Sequence, residues 1–489
     1  MNIISVDVGT TNVKVAKVNV SKESIKIVDQ VNIRVPAEKP ERKAYEHNPH
    51  VLFNLISKAI KHLSSGEVDA LAFTVYLFGL IHMDKHMKPL SNIITWLDER
   101  PIEVLKVLEP YRNELYLRTG CPVLHIYALP KILWFKKHKR ELFEKTRYFL
   151  DAKSFIMHTF SGEIVSDLST ASGTYQLLNI HNLKWDDLAL EIAGVSEDQL
   201  PNVVEGTYAA TLKEGIAKEL GLDSKTPVIT GLYDSASMIY GLTLEKENLG
   251  VVNIGTSAML RAITNMPVID RPNLMRFQTY YFINRKWIGG GGISNAGVVL
   301  DYLRNLFNIE LGKTEFYTWL FSEIGKKTEN KGLLFIPMIY AERLPLLQTT
   351  IGGSIVGLTQ EVDSIDIFKA AIEGTLFLLK RISDGLIENG VSYHKVIVGG
   401  KIAQYPPVQK MLANILNKEI IYCGIPDVSH IGNTLITLKS LKTHSDKEIT
   451  YLHEEIMKNC IAIKPEIPLQ KQYEHLYKRF SEILKEIYG

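Results

Sequence analysis

A short phrase that occurs twice constrains the fold of this chain more than any other feature. Near the start, the apolar run Ile3–Val8 leads into Gly9–Thr11, and midway along, Leu249–Ile254 leads into Gly255–Ser257. Each copy is β-rich and ends in a Gly-Thr turn, where glycine lets an anion approach backbone N–H groups closely. The repetition predicts a duplicated domain, with two phosphate-binding loops that face one cleft.

The length of the chain supports this division. At 489 residues it is longer than one hydrophobic core usually reaches, so we expect two domains. The boundary is predicted at 243–248, just before the second phrase, which divides the chain into residues 1–245 and 246–489. Strands interspersed with helices of apolar spacing indicate an α/β fold.

Composition excludes several classes of protein. The net charge is +2 and the basic residues are dispersed, so we expect no nucleic-acid partner. We find no uncharged apolar run of the ~20 residues that a membrane span needs, and no signal peptide. The three widely spaced cysteines, Cys121, Cys423 and Cys460, predict neither a disulfide framework nor a metal site. These features favour a reducing, cytoplasmic location.

The local patterns predict individual elements. Strands are expected at 2–8, 12–20 and 25–35, and again at 249–254, 258–263 and 275–284. A strand follows the first loop directly, so Gly9–Thr11 is predicted to lie in a hairpin, unlike a P-loop, which is followed by a helix. Helices are expected at 101–109, at 130–143 and, after the glycine run 289–292, at 294–307.

Asp7 and Lys14 flank the first loop. A carboxylate beside a phosphate loop can hold Mg²⁺ directly or through water, whereas the second copy has Asn253 at the same position. The alternative is a capping aspartate in a tight turn, but the duplication favours the metal role for Asp7. Lys14 can reach a phosphate, and a solvated strand lysine explains it equally well.

Asp234 follows a strand and a glycine and precedes a run of small residues that predicts a helix. A helix N-terminus is expected to keep this carboxylate ionised, and an ionised carboxylate beside a sugar hydroxyl can act as a general base for phosphoryl transfer. The alternative is an ordinary helix-capping aspartate, which the local sequence alone favours.

Two further patterns carry weaker signals. Trp96, Asp98 and Arg100 combine an aromatic face with an acid and a base, as sugar sites do, although a core tryptophan beside a surface ion pair fits at least as well. The pair Gly399-Gly400 follows a buried strand and would let a flat ring such as adenine lie against the backbone.

Together these phrases resemble the FGGY carbohydrate kinases, and the resemblance extends along nearly the whole chain. Besides the first phosphate loop, the segments that carry it are Leu129–Trp134, Gly162-Glu163 with Ser166–Ser172, and Gly353–Leu358 followed by Asp366–Glu373. Their occurrence in this order is far more specific than any single phrase.

The resemblance implies two ribonuclease-H-like domains around a deep cleft, with ATP, Mg²⁺ and a small sugar or sugar acid as ligands. It implies a catalytic base at Asp234 and a metal-linked carboxylate at Asp7. Phosphate contacts would come from Thr10, Thr11, Lys14, Gly255 and Thr256, adenosine contacts from Gly297, Asp301, Gly400 and Gln404, and sugar contacts from Phe78, Trp96, Asp98 and Arg100. A homodimer is left open.

Within the family, the gluconate kinase branch is the most similar and the xylulose kinase branch is next. The segments nearest to the gluconate branch are Leu117–Pro122, Gly255–Arg261 and Asn295–Leu300. Two departures stand out: Leu77-Phe78 replaces the usual Met-His pair on the sugar side, and Val428–Asn433 replaces an acidic, alanine-rich helix start. We therefore expect a gluconate kinase, with a xylulose or polyol kinase as the alternative and a silent sugar sensor as a third reading.

Overall fold

The computed structural model describes residues 1–327, 330–346 and 352–488. Within these ranges the chain forms two mixed sheets with helices around them, which confirms the α/β fold class. The strands of the six-stranded sheet come from residues 2–229, and those of the seven-stranded sheet from residues 249–463. The division near residue 245 stays a prediction.

The first half of the chain contains fourteen described strands and ten described α-helices. In order they are β1 (Asn2–Val8), β2 (Asn12–Val20), β3 (Ile25–Arg34), β4 (Glu46–His47), α1 (Pro49–Leu63), β5 (Ala70–Val75), β6 (Ile81–Met83), β7 (Ile93–Ile94), α2 (Leu105–Leu108), α3 (Arg112–Thr119), α4 (Ala128–His138), α5 (Arg140–Lys145), β8 (Tyr148–Leu150), α6 (Ala152–Ser161), β9 (Val165–Asp167), α7 (Leu168–Thr174), β10 (Leu178–Asn179), β11 (Lys184–Trp185), α8 (Asp187–Ala193), β12 (Asn202–Val204), β13 (Ala209–Thr211), α9 (Glu214–Leu220), β14 (Pro227–Ile229) and α10 (Asp234–Thr243).

The second half continues with β15 (Leu249–Ile254), β16 (Ala258–Thr264), β17 (Gln278–Tyr281), β18 (Trp287–Ile293), α11 (Gly297–Leu306), α12 (Lys313–Lys326), β19 (Leu334–Ile336), β20 (Ser354–Val356), α13 (Ser364–Glu388), β21 (Lys395–Gly399), α14 (Pro406–Leu416), β22 (Glu419–Tyr422), α15 (Val428–Leu441), α16 (Asp446–Met457), β23 (Ile461–Ile463) and α17 (Ile467–Tyr488). Short 3₁₀ segments occupy Arg100–Val104, Glu109–Tyr111 and Glu197–Gln199.

The two main sheets repeat one arrangement. The first has the order β13-β14-β5-β1-β2-β3 and the second β17-β18-β16-β15-β21-β22-β23. In the first, β1 pairs antiparallel with β2 and parallel with β5, and in the second, β15 pairs antiparallel with β16 and parallel with β21. The repeated phrase therefore stands at the same place in both sheets, in a β-hairpin as predicted.

Helix α15 joins the two halves. It belongs to the second half of the sequence, yet it packs against α10 and against β1 and β5 of the first sheet. Its buried residues His430 and Asn433 both contact the hydroxyl of Ser5 in β1, at 2.9 and 3.0 Å. This docking brings the start of α15, one of the segments that depart from the resemblance, beside the loop Gly9–Thr11.

Three predictions about elements are wrong in detail. Residues 289–292 do not lead into a helix but lie inside β18, where they pair with β16, and the next helix begins only at Gly297. The predicted helix at 130–143 is interrupted at Lys139, which divides it into α4 and α5. The region 101–109 is not one continuous helix but consists of the 3₁₀ segment Arg100–Val104, the one-turn helix α2 and the start of a second 3₁₀ segment.

The cysteine prediction also needs correction. Cys423 and Cys460 form a disulfide, with Cα atoms 4.4 Å apart, whereas Cys121 is free and buried. The reason is long-range pairing: Tyr422 of β22 lies opposite Ile461 of β23, so the flanking cysteines meet across the two strands. The argument for a reducing compartment from cysteine usage therefore fails. Within the described ranges, no helix is long and apolar enough to cross a membrane.

Candidate active site

Two neighbouring cavities open between the halves of the chain, and Asp234, Ser235 and Asn253 line both of them. The smaller, of about 240 Å³, we call the sugar-side cavity; other residues that line it include Thr10, Phe78, Trp96, Tyr233, Arg261 and Arg343. The larger, of about 620 Å³, we call the nucleotide-side cavity; its other lining residues include Asp7, Lys14, Gly400, Gln404, Asp427 and Ser429. Both names follow the ligands that the resemblance predicts for the two sides. The larger volume lies within the roughly 300–1,000 Å³ of ordinary ligand pockets, and the smaller suits a compact molecule.

Asp234 lies at the junction of these cavities, as the first residue of α10. The Ser235 N–H and hydroxyl donate to its Oδ1 atom at 2.6 and 3.2 Å. Burial, with the nearby Asp7 carboxylate, raises the pKa of Asp234 to about 6. A carboxyl group with this pKa is still mostly ionised at neutral pH, and the raised value suits a general base there.

Asp7 and Asn253 occupy equivalent positions. Each is the penultimate residue of its strand, and both side chains line the nucleotide-side cavity. The two copies of the repeated phrase thus face one cavity, with a carboxylate on one side and a neutral amide on the other. The arrangement agrees with the prediction of two loops on one cleft.

The loops have free donors. The N–H groups of Gly9 and Gly255 are used inside their own hairpins, by Asn12 and Ser257. Across the described chain, the N–H groups of Thr10, Thr11 and Thr256 donate to no protein acceptor. Two of these residues, Thr11 and Thr256, are exposed. These donors are therefore available to an anion such as phosphate.

The start of α15 contacts both residues that flank the first loop. The Ser429 hydroxyl donates to Asp7 Oδ2 at 2.6 Å. Lys14 Nζ forms an ion pair of 2.6 Å with Asp427, which also accepts from Gln30. Lys14 reaches the nucleotide-side cavity as predicted, but its charge is already paired there. Sequence reasoning missed Asp427 and Ser429, although they adjoin or fall within a segment noted as unusual.

The residues predicted to contact adenosine divide into two groups. Gly400 and Gln404 line the nucleotide-side cavity. Gly400 has φ +97°, and an added Cβ there would lie 2.4 Å from the Ile254 carbonyl oxygen. Gly297 and Asp301 are not among the lining residues: Gly297 N–H donates to the Gly255 carbonyl at 3.0 Å, and Asp301 pairs with Lys313 at 2.7 Å. Roles for this second group stay predictions.

On the sugar side, Trp96 connects the cavity wall to the first loop, since its indole N–H donates to Thr10 Oγ1 at 3.1 Å. Phe78 lines the same cavity and packs edge-on against Tyr127, with ring centroids 5.5 Å apart. The Phe78 carbonyl accepts a hydrogen bond from the buried Lys131, within the segment 129–134. Phe78 has φ +70°, which bulky residues rarely adopt, and its N–H donates to Thr174 Oγ1 at 3.1 Å.

Asp98 and Arg100 require a correction. Neither lines the sugar-side cavity; both are buried, and Arg100 pairs with Asp98, Glu41 and Glu46. The guanidinium also lies 4.7 Å from the Trp134 ring centre. Burial alone would lower the pKa of Arg100, but these carboxylates raise it. Arg100 is thus neutralised inside the fold and has no charge to offer a substrate carboxylate.

Two other arginines lie in the sugar-side cavity, where Arg100 was expected to contact the sugar. Arg261 and Arg343 line the sugar-side cavity, and within the described ranges neither forms an ion pair. Arg343 lies over the Trp96 ring, 5.1 Å from its centre, so it bridges the two halves of the chain. Burial lowers the pKa of Arg343, the negative charge of Glu342 opposes this, and the positive charge of Arg261 adds a smaller downward effect. Arg261 belongs to a segment already noted as gluconate-like, which was the available signal.

Lys153 is a further residue that sequence reasoning missed. It is fully buried, and its Nζ donates to the carbonyls of Phe73, Thr230 and Leu232 and pairs with Asp167 at 3.2 Å. These carbonyls lie on β5 and on the segment that leads into Asp234. A lysine among apolar residues of α6 was the only sign of this role. Burial lowers the pKa of Lys153.

The family of this chain is identified by its similarity to known proteins. Sequence models of the FGGY family of carbohydrate kinases match residues 2–241, for the N-terminal domain, and 250–440, for the C-terminal domain. The chain belongs to this family. As an FGGY carbohydrate kinase, it is expected to use ATP and a small-molecule sugar.

Gluconate kinases and xylulose kinases are among the relatives of this chain. The gluconokinase of Bacillus subtilis (strain 168) is 27% identical over 456 residues, which cover 89% of this chain and 87% of that protein. The xylulose kinase of the same organism is 25% identical over 492 residues, which cover 98% of this chain and 96% of that protein. Among solved structures, the gluconate kinase of Lactobacillus acidophilus has a TM-score of 0.91 and 25% identity and covers 100% of this chain and 98% of that one. The FGGY fold is thereby confirmed.

Proposed function

We propose that this FGGY kinase transfers the γ-phosphoryl group of ATP to a hydroxyl of a small sugar acid, with gluconate favoured. The observation that carries the proposal is the position of Asp234, which lines both cavities and has a pKa near 6. A sugar in the smaller cavity and a nucleotide in the larger would meet at this carboxylate. Asp234 would accept the proton of the attacking hydroxyl.

The remaining side chains suit the binding of charged phosphates. The free N–H groups of Thr10, Thr11 and Thr256 and the ammonium of Lys14 would hold phosphate oxygens, while Gly400 and Gln404 would line the nucleoside. Lys14 must first exchange its partner Asp427 for phosphate. Roles for Gly255, Gly297 and Asp301 are proposed from the family resemblance.

The carboxylates of the nucleotide-side cavity fit Mg²⁺. In kinases Mg²⁺ is usually held by one or two carboxylates together with substrate phosphates, and Asp7 lines the cavity proposed for those phosphates. Asp7 is the proposed ligand, directly or through water. Mg²⁺ would neutralise phosphate charge when bound.

Replacing Asp7 with alanine should raise the Mg²⁺ concentration required for half-maximal turnover by roughly 10–100-fold. Sugar binding without nucleotide should change little, because Asp7 lines only the nucleotide-side cavity. The matched control is Asn253→Ala, at the equivalent position of the other sheet, for which we expect a nearly unchanged Mg²⁺ titration. A large loss of sugar affinity in Asp7→Ala with an unchanged Mg²⁺ titration would refute the assignment.

Gluconate is favoured over xylulose for two reasons. The segments 117–122, 255–261 and 295–300 are nearest to the gluconate kinase branch, and the sugar-side cavity contains two arginines without carboxylate partners. Xylulose is the second candidate, since a xylulose kinase relative covers 98% of the chain. A silent sugar sensor is disfavoured, because a sensor needs neither Asp7 nor Asp234.

A coupled assay of ADP release across gluconate, xylulose, ribulose, glycerol and a keto sugar acid tests the proposal. We expect the largest kcat/KM for gluconate. A lead of more than tenfold for xylulose or glycerol would refute the substrate while retaining the kinase. Absence of turnover on every sugar, in a protein that still binds ATP and sugar, would favour the sensor.

A further inference from the structure

We propose that Arg261 and Arg343 form a carboxylate-binding subsite in the sugar-side cavity, which makes the protein select acidic sugars over uncharged ones. The inference rests on the proposed function and assigns the residues that would determine its substrate class.

Arg261 is fixed in place but incompletely bonded. It lies on β16 with only 7% of its surface exposed, and its side chain lines the cavity. Its Nη1 donates to the Gly290 carbonyl at 2.9 Å, and the guanidinium lies 5.1 Å from the Tyr280 ring centre. Its Nε is buried and has no hydrogen-bond partner in the described chain. An unpaired buried donor on a cation is costly, so a ligand anion would stabilise it.

Arg343 has no acid of its own either. Its neighbour Glu342 accepts hydrogen bonds from the backbone N–H groups of Ser294 and Asn295, at 2.6 and 3.2 Å, and from the Asn295 amide. The Nε of Arg343 is also buried without a partner in the described chain. Glu342 also accepts from the Arg343 backbone N–H at 2.9 Å, and its charge raises the pKa of Arg343 against the larger effect of burial. Within the described ranges it forms no ion pair with the guanidinium, which lies over Trp96 and can still bind another anion.

The glycine run of β18 makes room for both arginines. Gly290 lies opposite Arg261 in the β16–β18 ladder, and an added Cβ there would lie 3.0 Å from Arg261 Cδ and 2.8 Å from its Cα. Two residues on, an added Cβ at Gly292 would lie 3.7 Å from Arg343 Nη2. Alternate residues of a strand share a face, so these glycines leave one surface bare beneath the two guanidinium groups. The glycine run 289–292 therefore provides the space that the two guanidinium groups occupy.

Arg276, another buried arginine, has the carboxylate partners that Arg261 and Arg343 lack. Arg276 binds Asp270 through Nε and Nη2, both at 2.9 Å, and also pairs with Glu388. This two-bond geometry is the one that guanidinium groups use for carboxylates generally. Arg261 and Arg343 have the same free Nε without the acid. The sole carboxylate among the residues that line the cavity is Asp234, which the reaction requires.

The test measures binding of D-gluconate and of D-glucitol, its uncharged counterpart, by calorimetry without nucleotide. Charge-assisted bonds contribute about 1.5–3 kcal/mol, so the wild type should prefer gluconate by roughly 10–100-fold. Arg261→Met should remove at least tenfold of this preference, because gluconate affinity should fall at least tenfold more than glucitol affinity. Arg140→Met, on the exposed α5, is the matched control and should change neither affinity.

Arg343→Gln should also lower the preference for gluconate over glucitol. Retained ADP binding shows that a variant is folded, so Arg343→Gln provides the test if Arg261→Met no longer binds ADP. The proposal is overturned if the wild type binds glucitol as tightly as gluconate, if it binds neither, or if the folded variants keep the full preference. Equal binding with efficient phosphorylation of xylulose would overturn the subsite but not the kinase. Arginine-dependent gluconate binding without any phosphorylation would support the subsite and refute the proposed function.

Discussion

Replacing Asp234 with asparagine should lower kcat by roughly 10²–10⁴, the usual loss when a general base is removed. Asparagine keeps the shape of the side chain but cannot accept the proton of the attacking hydroxyl. Nucleotide and sugar affinities should stay within a few-fold, because each cavity has many other lining residues. Stopped-flow turnover combined with separate binding titrations would measure both quantities.

The pH dependence provides a second readout for the same residue. A base must be deprotonated to act, so with a pKa near 6 the wild-type kcat/KM should fall about tenfold per unit below pH 6 and level off above it. This fall at low pH, the acid limb of the kcat/KM profile, should be absent in Asp234→Asn. Asp187→Asn is the matched control, since Asp187 is likewise the first residue of its helix but is exposed and lines neither cavity. Turnover of Asp234→Asn within a few-fold of wild type would refute the assignment.

Asp234→Asn should lower activity without lowering the free energy of unfolding at pH 7. The folded-state pKa of Asp234 is raised from 3.8 to about 6, so between these values the folded protein binds more protons than the unfolded chain. The contribution of Asp234 to the free energy of unfolding therefore falls as pH rises from about 4 to 6. Asp234→Asn should thus be at least as stable as the wild type at pH 7, which a purely structural aspartate would not be.

The parts of this site that are visible in the sequence are those defined by local turns. Gly9–Thr11 and Gly255–Ser257 each follow an apolar strand, and that pattern specifies a hairpin without reference to the rest of the chain. The position of Asp7 and Asn253 follows from the same register. Asp234 is similar, since a glycine and a helix start determine where its carboxylate emerges.

The parts that are invisible depend on partners distant in sequence. Arg100 and Arg261 look alike locally, but Glu41 and Glu46 neutralise the first, whereas no carboxylate pairs with the second in the described chain. The glycine run 289–292 resembles a loop until its antiparallel partner β16 is known. Cys423 and Cys460 are 37 residues apart and meet only through strand pairing.

Lys153 is the other residue whose replacement should have a large effect, and its role depends wholly on tertiary contacts. We expect Lys153→Met to lower the free energy of unfolding by about 3–5 kcal/mol, because it would leave the buried Asp167 carboxylate without its cation. Urea unfolding at pH 7 measures this loss. Lys213→Met is the matched control: Lys213 donates to one carbonyl, that of His158, so a loss of about 1 kcal/mol is expected.

Adding Asp167→Asn to Lys153→Met should recover part of the stability, since the uncompensated charge is removed. Turnover should remain reduced in this double variant, because the carbonyls of Phe73, Thr230 and Leu232 still lack the ammonium that holds the approach to Asp234.

The charge of Lys153 also acts on the base directly. It lowers the pKa of Asp234, against the larger upward effects of burial and Asp7. Removing it should move the acid limb of kcat/KM to higher pH, a change that loss of stability alone does not produce. Lys213→Met should leave the limb in place. If Lys153→Met unfolds at the wild-type urea concentration and its acid limb does not move, Lys153 neither supports nor tunes the base. A shifted limb would mean that a lysine 81 positions before Asp234 helps to determine the pH at which this kinase works.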